Sequence, residues 1–225
     1  MVGNKLQEYG FEARWEDAVV GMIQKVISLP LDPDYPGGAG GSFTLSAIPQ
    51  EERLQELEFY FPLKYISPET LRGIFAACGR TAPSRAEEGQ GDICPLWHER
   101  LHFNPVHGFM KGFIDMVFRF EGRFYLVDWK SNFLGNHVTD YNQSAISETM
   151  AGSFYFLQYH IYTVALHQYL STRLPGYRYD THFGGVYYCF LRGMDPIWGP
   201  EYGVYRDRPS ADLITALTRE LIAVG

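Results

Sequence analysis

Two apolar runs, residues 112–120 (GFIDMVFRF) and 123–131 (RFYLVDWKS), flank the dipeptide Glu121-Gly122. An acidic residue followed by glycine suits the two positive-φ positions of a type I′ turn, so the runs read as paired strands of one hairpin. A two-residue loop sets the register. Phe120 then faces Arg123, and counting back along both strands places Asp115 opposite Asp128. Side chains alternate with period two, so Lys130 emerges on the same face as Asp128, one pleat further along. Two acids and an amine converge on one spot.

Directly opposed Cβ atoms lie about 4.5–5.5 Å apart, and like charges so placed repel unless something neutralises them. Alternation puts Ile114, Met116, Phe118 and Phe120 on one face and Phe113, Val117, Phe124 and Leu126 on the other, so both faces are apolar and the strands should be central. Carboxylates in such a setting need partners, and hard oxygen ligands suit magnesium or manganese better than zinc. The same residues also fit a carboxylate–lysine salt bridge on a partly wet sheet face. A bulge would break the register. Asp128→Ala is expected to be tolerated, because it removes one of two facing charges.

Around the hairpin, a helix is expected over residues 15–28, with Val19, Met22, Ile23 and Val26 at helical spacing. The Gly/Pro-rich stretch 31–42 reads as a loop. In the strand expected at 56–63, Leu57, Phe59 and Phe61 share one side, leaving Glu58 and Tyr60 on the other. Ser67 is placed to cap a helix that begins at Pro68 and stops before Gly79, and the polar stretch 80–92 reads as a disordered loop. Beyond the hairpin come helices over 142–150 and 152–170, consecutive or kinked, a central strand over 184–191, and a closing helix over 209–223 that buries Leu213, Ile214, Leu217 and Leu221. The order αβαββααβα specifies an α/β fold, a central mixed β-sheet flanked by helices, as a single domain over residues 1–225.

Composition narrows the partners. With 225 residues at 46% hydrophobic content, the chain can bury one substantial core. It has no apolar run of membrane-span length and no basic-then-apolar leader, so a cytoplasmic protein with no membrane partner is expected. Cys78, Cys94 and Cys189 are too few for a four-thiolate iron–sulfur cluster, and Cys189 reads as a buried free thiol. A net charge of −7 disfavours tight, unaided binding to duplex DNA, where cation–phosphate contacts dominate. Lys111, Arg119, Arg123 and Arg192 are candidates to line a site locally, or are solvated surface charge.

Gly112-Phe113-Ile114-Asp115, Asp128-Trp129-Lys130, and Gln158 with Tyr162 at Q-x-x-x-Y spacing together resemble the PD-(D/E)XK nuclease signature in the form found in the RecB family. The runs MKGFIDMVFRFEGRFYLVDWKSNFLG (110–135) and HFGGVYYCFLRGM (182–194) are similar to that family's C-terminal nuclease domain. The resemblance implies a restriction-endonuclease-like core. It implies Asp115 and Asp128 as metal ligands with the backbone carbonyl of Trp129, Lys130 as the catalytic lysine, and Mg2+ as the cofactor, with Mn2+ as a substitute. Glu58 corresponds to the family's earlier glutamate, though its own pattern is that of an exposed strand residue.

Gln158 and Tyr162 share a helix face with Leu157, Ile161, Ala165, Leu166 and Tyr169. They reach either the metal's surroundings or a DNA phosphate, or Tyr162 is simply satisfied in the core. The implied activity is hydrolysis of DNA phosphodiesters by metal-activated water, in double-strand break repair and DNA degradation. Lys130 then orients or deprotonates the nucleophile, or stabilises the transition state as a cation. DNA, the subunits RecC and RecD, and the recombinase RecA are the implied partners. An alternative is a catalytically weak docking module for RecA or partner subunits. A stand-alone restriction-like endonuclease or junction resolvase is a third, disfavoured by the similarity after His182. RecB-type nucleases also carry a histidine ligand on a helix at the start of the domain, whereas this chain has none before His98. The chain is accordingly expected to be a fragment beginning just downstream of that motif, with a divergent protein as the alternative; His98, His102 and His107 lie in a segment rich in loop signals and read as loop residues rather than as substitute ligands.

Overall fold

A computed structural model describes residues 2–32, 42–78 and 97–223. Most of the expected 31–42 loop, all of the 80–92 loop and Cys94 lie outside the described residues. Five strands form one sheet in the order β1 (Arg53–Ile66), β2 (Val106–Phe120), β3 (Arg123–Lys130), β4 (Phe183–Phe190) and β5 (Val204–Asp207). All neighbours are antiparallel except β3 and β4. That pair is parallel because the chain between them crosses over one face through α4 (Gln143–Gly152), α5 (Tyr155–Arg173) and the single turn α6 (Tyr179–His182). The sheet is mixed and flanked by helices, as the α/β reading requires.

Glu121 and Gly122 adopt φ of +48° and +77°, and the ladder runs from Phe120↔Arg123 to Met116↔Val127. The hairpin register is therefore the one expected. Past Met116 the strands part: β2 stays paired with β1, while β3 runs on beside β4. The result is a fork in the sheet with Asp115 at its mouth.

Strict alternation does not survive the fork. Gln55↔Met116 and Leu57↔Ile114 leave Glu56 across from Asp115, and Glu56 holds a left-handed φ of +50°. Ile114 consequently joins Val117, Leu126, Leu57 and Phe61 in the cluster beneath α5, whereas Met116 and Phe118 enter the cluster on the other face. Phe113, expected on a buried face, is half exposed. The correction has a local cause. The pleat turns over on both strands at the facing pair Glu56 and Asp115, and it is Glu56 that holds the left-handed φ, which nothing in a glutamate signals.

The larger cluster packs the sheet against α3 (Pro68–Cys78), α4, α5 and α7 (Ala211–Leu221). The smaller lies under the end of α2 (Glu16–Ser28) and the segment after it, with Val26, Leu29, Leu31, Phe43, Leu45 and Ile48 covering Tyr125, Val127 and Tyr187. Ser67 caps its helix as expected, its Oγ accepting from Thr70 N at 3.3 Å; α7 starts two residues later than expected, where Ser210 Oγ accepts from Leu213 N at 3.2 Å. In α7, Leu213, Ile214, Leu217 and Leu221 are all buried as expected, each removal from water contributing about 1.5–3 kcal/mol. Of the stripe expected on α2, only Val26 is buried, and Ile23 stays exposed. The short α1 (Val2–Glu8) and β5 had no sequence expectation.

Candidate active site

At the fork, Asp115 Oδ2 accepts a hydrogen bond from Trp129 N at 2.8 Å. The carboxylate takes over the acceptor role that a ladder carbonyl would have had if β2 and β3 had stayed paired. Asp128, one residue back on β3, is 3% exposed, and its Oδ1 lies 2.5 Å from Lys130 Nζ. Burial pushes the Asp128 carboxyl up to about 6; Lys130 works against that rise, and the nearby Asp115 adds to it. The site holds two carboxylates against one ammonium.

Helix α5 closes it from above. Its axis carries Phe156, Tyr159, His160, Thr163, Leu166 and Leu170 into the core, leaving Gln158 and Tyr162 half-buried at the margin of that stripe, over the fork. Gln158 Oε1 accepts from Lys130 Nζ at 2.9 Å and from the Tyr188 hydroxyl at 3.0 Å, while Gln158 Nε2 donates to the Tyr162 hydroxyl at 2.9 Å. Burial raises the Tyr162 hydroxyl above its ordinary value, and the charges of Asp128 and Asp115 raise it further. Tyr162 is braced by Phe59, whose ring meets it edge-on at 5.6 Å. Phe59 in turn needs Gly112, since a Cβ there would stand 2.5 Å from Phe59 Cζ. The glycine in G-F-I-D thus makes room for the ring that backs the tyrosine.

Asp115, Asp128, Trp129, Lys130, Gln158 and Tyr162 are gathered in one place. Glu58 is not. It faces away from Phe59 and Tyr162, exposed, with its Oε1 2.6 Å from Lys111 Nζ. His98 is buried beside Phe75 and Trp97, and His102 and His107 are exposed. Among the described residues, no three His, Cys, Asp or Glu side chains form a group that could hold a metal, so the three histidines do not complete the pair of aspartates. Of the candidate cations, Lys111 is paired with Glu58, and Arg119 forks onto Glu52 with two bonds of 2.6 Å. Arg192 reaches the Ser131 carbonyl at 3.4 Å, just past Lys130. Cys189 is buried, as expected, and burial raises its thiol.

Two site residues escaped the sequence. Lys130 Nζ lies 3.8 Å from the ring centroid of Tyr155 and 4.9 Å from that of Tyr188. Tyr155 stands one helical turn before Gln158, a signal that was available. Tyr188 is the β4 partner of Asp128, which only the parallel register discloses. The structure also changes the expectation for Asp128→Ala, which would leave a buried ammonium short of its carboxylate partner. Asp128→Asn removes the charge and keeps an acceptor.

No family model matches the chain. RecB, a subunit of the RecBCD enzyme, from Escherichia coli is 40% identical over 222 residues, 99% of this chain and 17% of that protein. The chain is a homologue of one segment of RecB. RecB of Haemophilus influenzae is 53% identical over 119 residues, 53% of this chain and 10% of the relative. RecB of Mycobacterium tuberculosis is 35% identical over 205 residues, 84% and 18% respectively. The chain therefore spans less than a fifth of the length of these RecB proteins.

Proposed function

We propose that the chain is a RecB-type nuclease domain that hydrolyses DNA phosphodiesters in a reaction dependent on Mg2+, with Mn2+ as a substitute. The observation that carries the reading is the juxtaposition of Asp115 and Asp128 at the fork, with a single ammonium, paired with Asp128, for the two carboxylates and burial raising Asp128 to about 6. A hard divalent cation suits that donor set. Magnesium is commonly held by one or two carboxylates and otherwise by water and substrate phosphate, so two aspartates with the Trp129 carbonyl suffice. When bound, the cation lowers the pKa of a coordinated water and offsets charge on the scissile phosphate.

Asp115 and Asp128, with the Trp129 carbonyl, are the groups that would hold that cation at the fork. Lys130, fixed between Asp128 and Gln158, presents its ammonium where negative charge grows on the phosphoryl oxygens as the water oxygen bonds to phosphorus and the ester oxygen leaves. Gln158 keeps Lys130 in place, and Tyr162 offers a hydroxyl within reach of a phosphate. In this reading the domain acts in double-strand break repair, in the cytoplasm, with RecC and RecD as partner subunits. The net charge of −7 calls for DNA to be delivered by other parts of an assembly.

The test is cleavage of end-labelled DNA with MgCl2 by the chain and by Asp128→Ala: cleavage by the first and none by the second is expected, and undiminished cleavage by Asp128→Ala sinks the reading. The docking alternative, with RecA as the partner, is favoured by the exposed aromatic residues Tyr9, Phe11 and Trp15 on an acidic chain. Calorimetric titration with Mg2+ separates the two, since docking requires no heat of metal binding.

A further inference from the structure

We propose that Tyr155 and Tyr188 are positioning residues for Lys130, an aromatic cage that holds its ammonium against Asp128 in the reaction proposed above. An ammonium has three N–H groups. Two point to oxygens, Asp128 Oδ1 at 2.5 Å and Gln158 Oε1 at 2.9 Å. The remaining side faces the ring of Tyr155 at 3.8 Å and that of Tyr188 at 4.9 Å, both within the range at which a ring face attracts a cation. The Lys130 side chain is 10% exposed, so the rings take a place that water would otherwise fill.

Each ring is pinned through its own hydroxyl. Tyr188, fully buried on β4 across from Asp128, donates to Gln158 Oε1 at 3.0 Å. Tyr155 donates to Asn132 Oδ1 at 3.2 Å, which ties the start of α5 to the chain just past Lys130. Tyr155 reaches the lysine because the chain breaks between α4 and α5 at Phe154, a non-glycine residue at φ +55°. Strain of that kind persists where the surroundings enforce it, and here it turns the first residue of α5 over the fork. The cage is built from a helix start and a parallel strand, and the loop after β3 holds one of its two rings through Asn132.

The test uses the 225-residue chain, Mg2+ and an end-labelled single-stranded oligonucleotide, with Tyr155→Leu, Tyr155→Phe and Tyr188→Phe. Tyr155→Leu keeps apolar bulk but loses the ring face, and is expected to lower kcat about 10- to 100-fold with KM within about twofold, the scale of a small misplacement of a catalytic group. Both Phe variants keep a ring and should retain kcat within about threefold. A second readout needs no metal: in lysine-labelled protein, the ε-methylene protons of Lys130, one of five lysines, should resonate upfield by ring current, move towards the other lysines in Tyr155→Leu and stay put in Tyr155→Phe. Wild-type kcat in Tyr155→Leu, an unshifted Lys130 resonance, or a Tyr155→Phe variant as impaired as Tyr155→Leu overturns the cage. If the unaltered chain does not cleave, the nuclease reading fails, and the resonance still decides the cage.

Discussion

Asp128 and Asp207 lie on the same sheet, one on β3 at the fork and one at the end of β5, and burial lifts both carboxyls to about 6. Their surroundings differ in kind. Asp207 Oδ2 accepts from the Tyr159 hydroxyl at 2.6 Å and Oδ1 from Arg208 N at 2.7 Å, and the nearby charge of Arg206 also favours its ionised form. Both oxygens are engaged, and among the described residues no second acid adds to the shift. Asp128 has a lysine on one oxygen and Asp115 beside it, which leaves an excess of one negative charge at an opening of the sheet. A raised carboxyl by itself therefore marks burial. What marks a site is a raised carboxyl together with charge that the protein leaves unbalanced.

The largest expected difference between the two is catalytic. Asp128→Asn should lower Mg2+-dependent cleavage of labelled DNA by at least about 10²–10³-fold, the scale seen when one charge-stabilising group is removed, while Asp207→Asn stays within about threefold. Equal losses in both variants would mean that Asp128, like Asp207, acts only through the fold.

Stability against pH comes next. A folded-state value of about 6 against an ordinary 3.8 means that the folded chain holds the proton more tightly between those values. Each carboxyl therefore costs no stability below about pH 4 and progressively more as pH rises through 6, reaching about 3 kcal/mol at neutrality. Thermal unfolding from pH 4.5 to 7.5 should show each Asn variant gaining on the parent as pH rises. At pH 7, Mg2+ at 100 times its dissociation constant should add about 2.7 kcal/mol to the parent and to Asp207→Asn, and none to Asp128→Asn. A magnesium shift that survives Asp128→Asn would place the cation elsewhere.

A smaller effect is expected at the closed aspartate. Tyr159→Phe removes the buried donor to Asp207 and should cost about 1–3 kcal/mol in denaturant unfolding, without changing the response to Mg2+.

How far the sequence reached follows the same division between local and distant constraints. The ladder from Phe120↔Arg123 to Met116↔Val127 was legible because a two-residue turn dictates it within the hairpin itself, whereas Asp115 and Asp128, expected as a facing pair, lie just past its end. The helix cap at Ser67 and the stripe on α7 are local in the same sense. Tyr188 was not legible as a neighbour of Asp128, because the parallel register of β3 and β4 is set by a crossover of three helices. The four residues of β5 were too short to show a period, although they carry the Asp207 cluster. Glu58 was assigned to the site on family likeness, and the turn of the strand at Glu56, opposite Asp115, has no counterpart in residue pattern.

Glu58 supplies the smallest effect and sharpens the contrast. Like Asp128 it lies close to a lysine, 2.6 Å from Lys111 Nζ, but half of each side chain is in water. Solvent screens the attraction and leaves neither charge in want of a partner, so the pair should contribute between 0 and about 1 kcal/mol. Glu58→Gln is expected to change stability by less than that and cleavage by less than about twofold, in the same assays that resolve Asp128→Asn. A tenfold loss of cleavage at unchanged stability would show that Glu58 turns to the other face of β1 when DNA and cation are present. The pleat inversion at Glu56 would then be a feature of the chain at rest, and the acid set at the fork would number three.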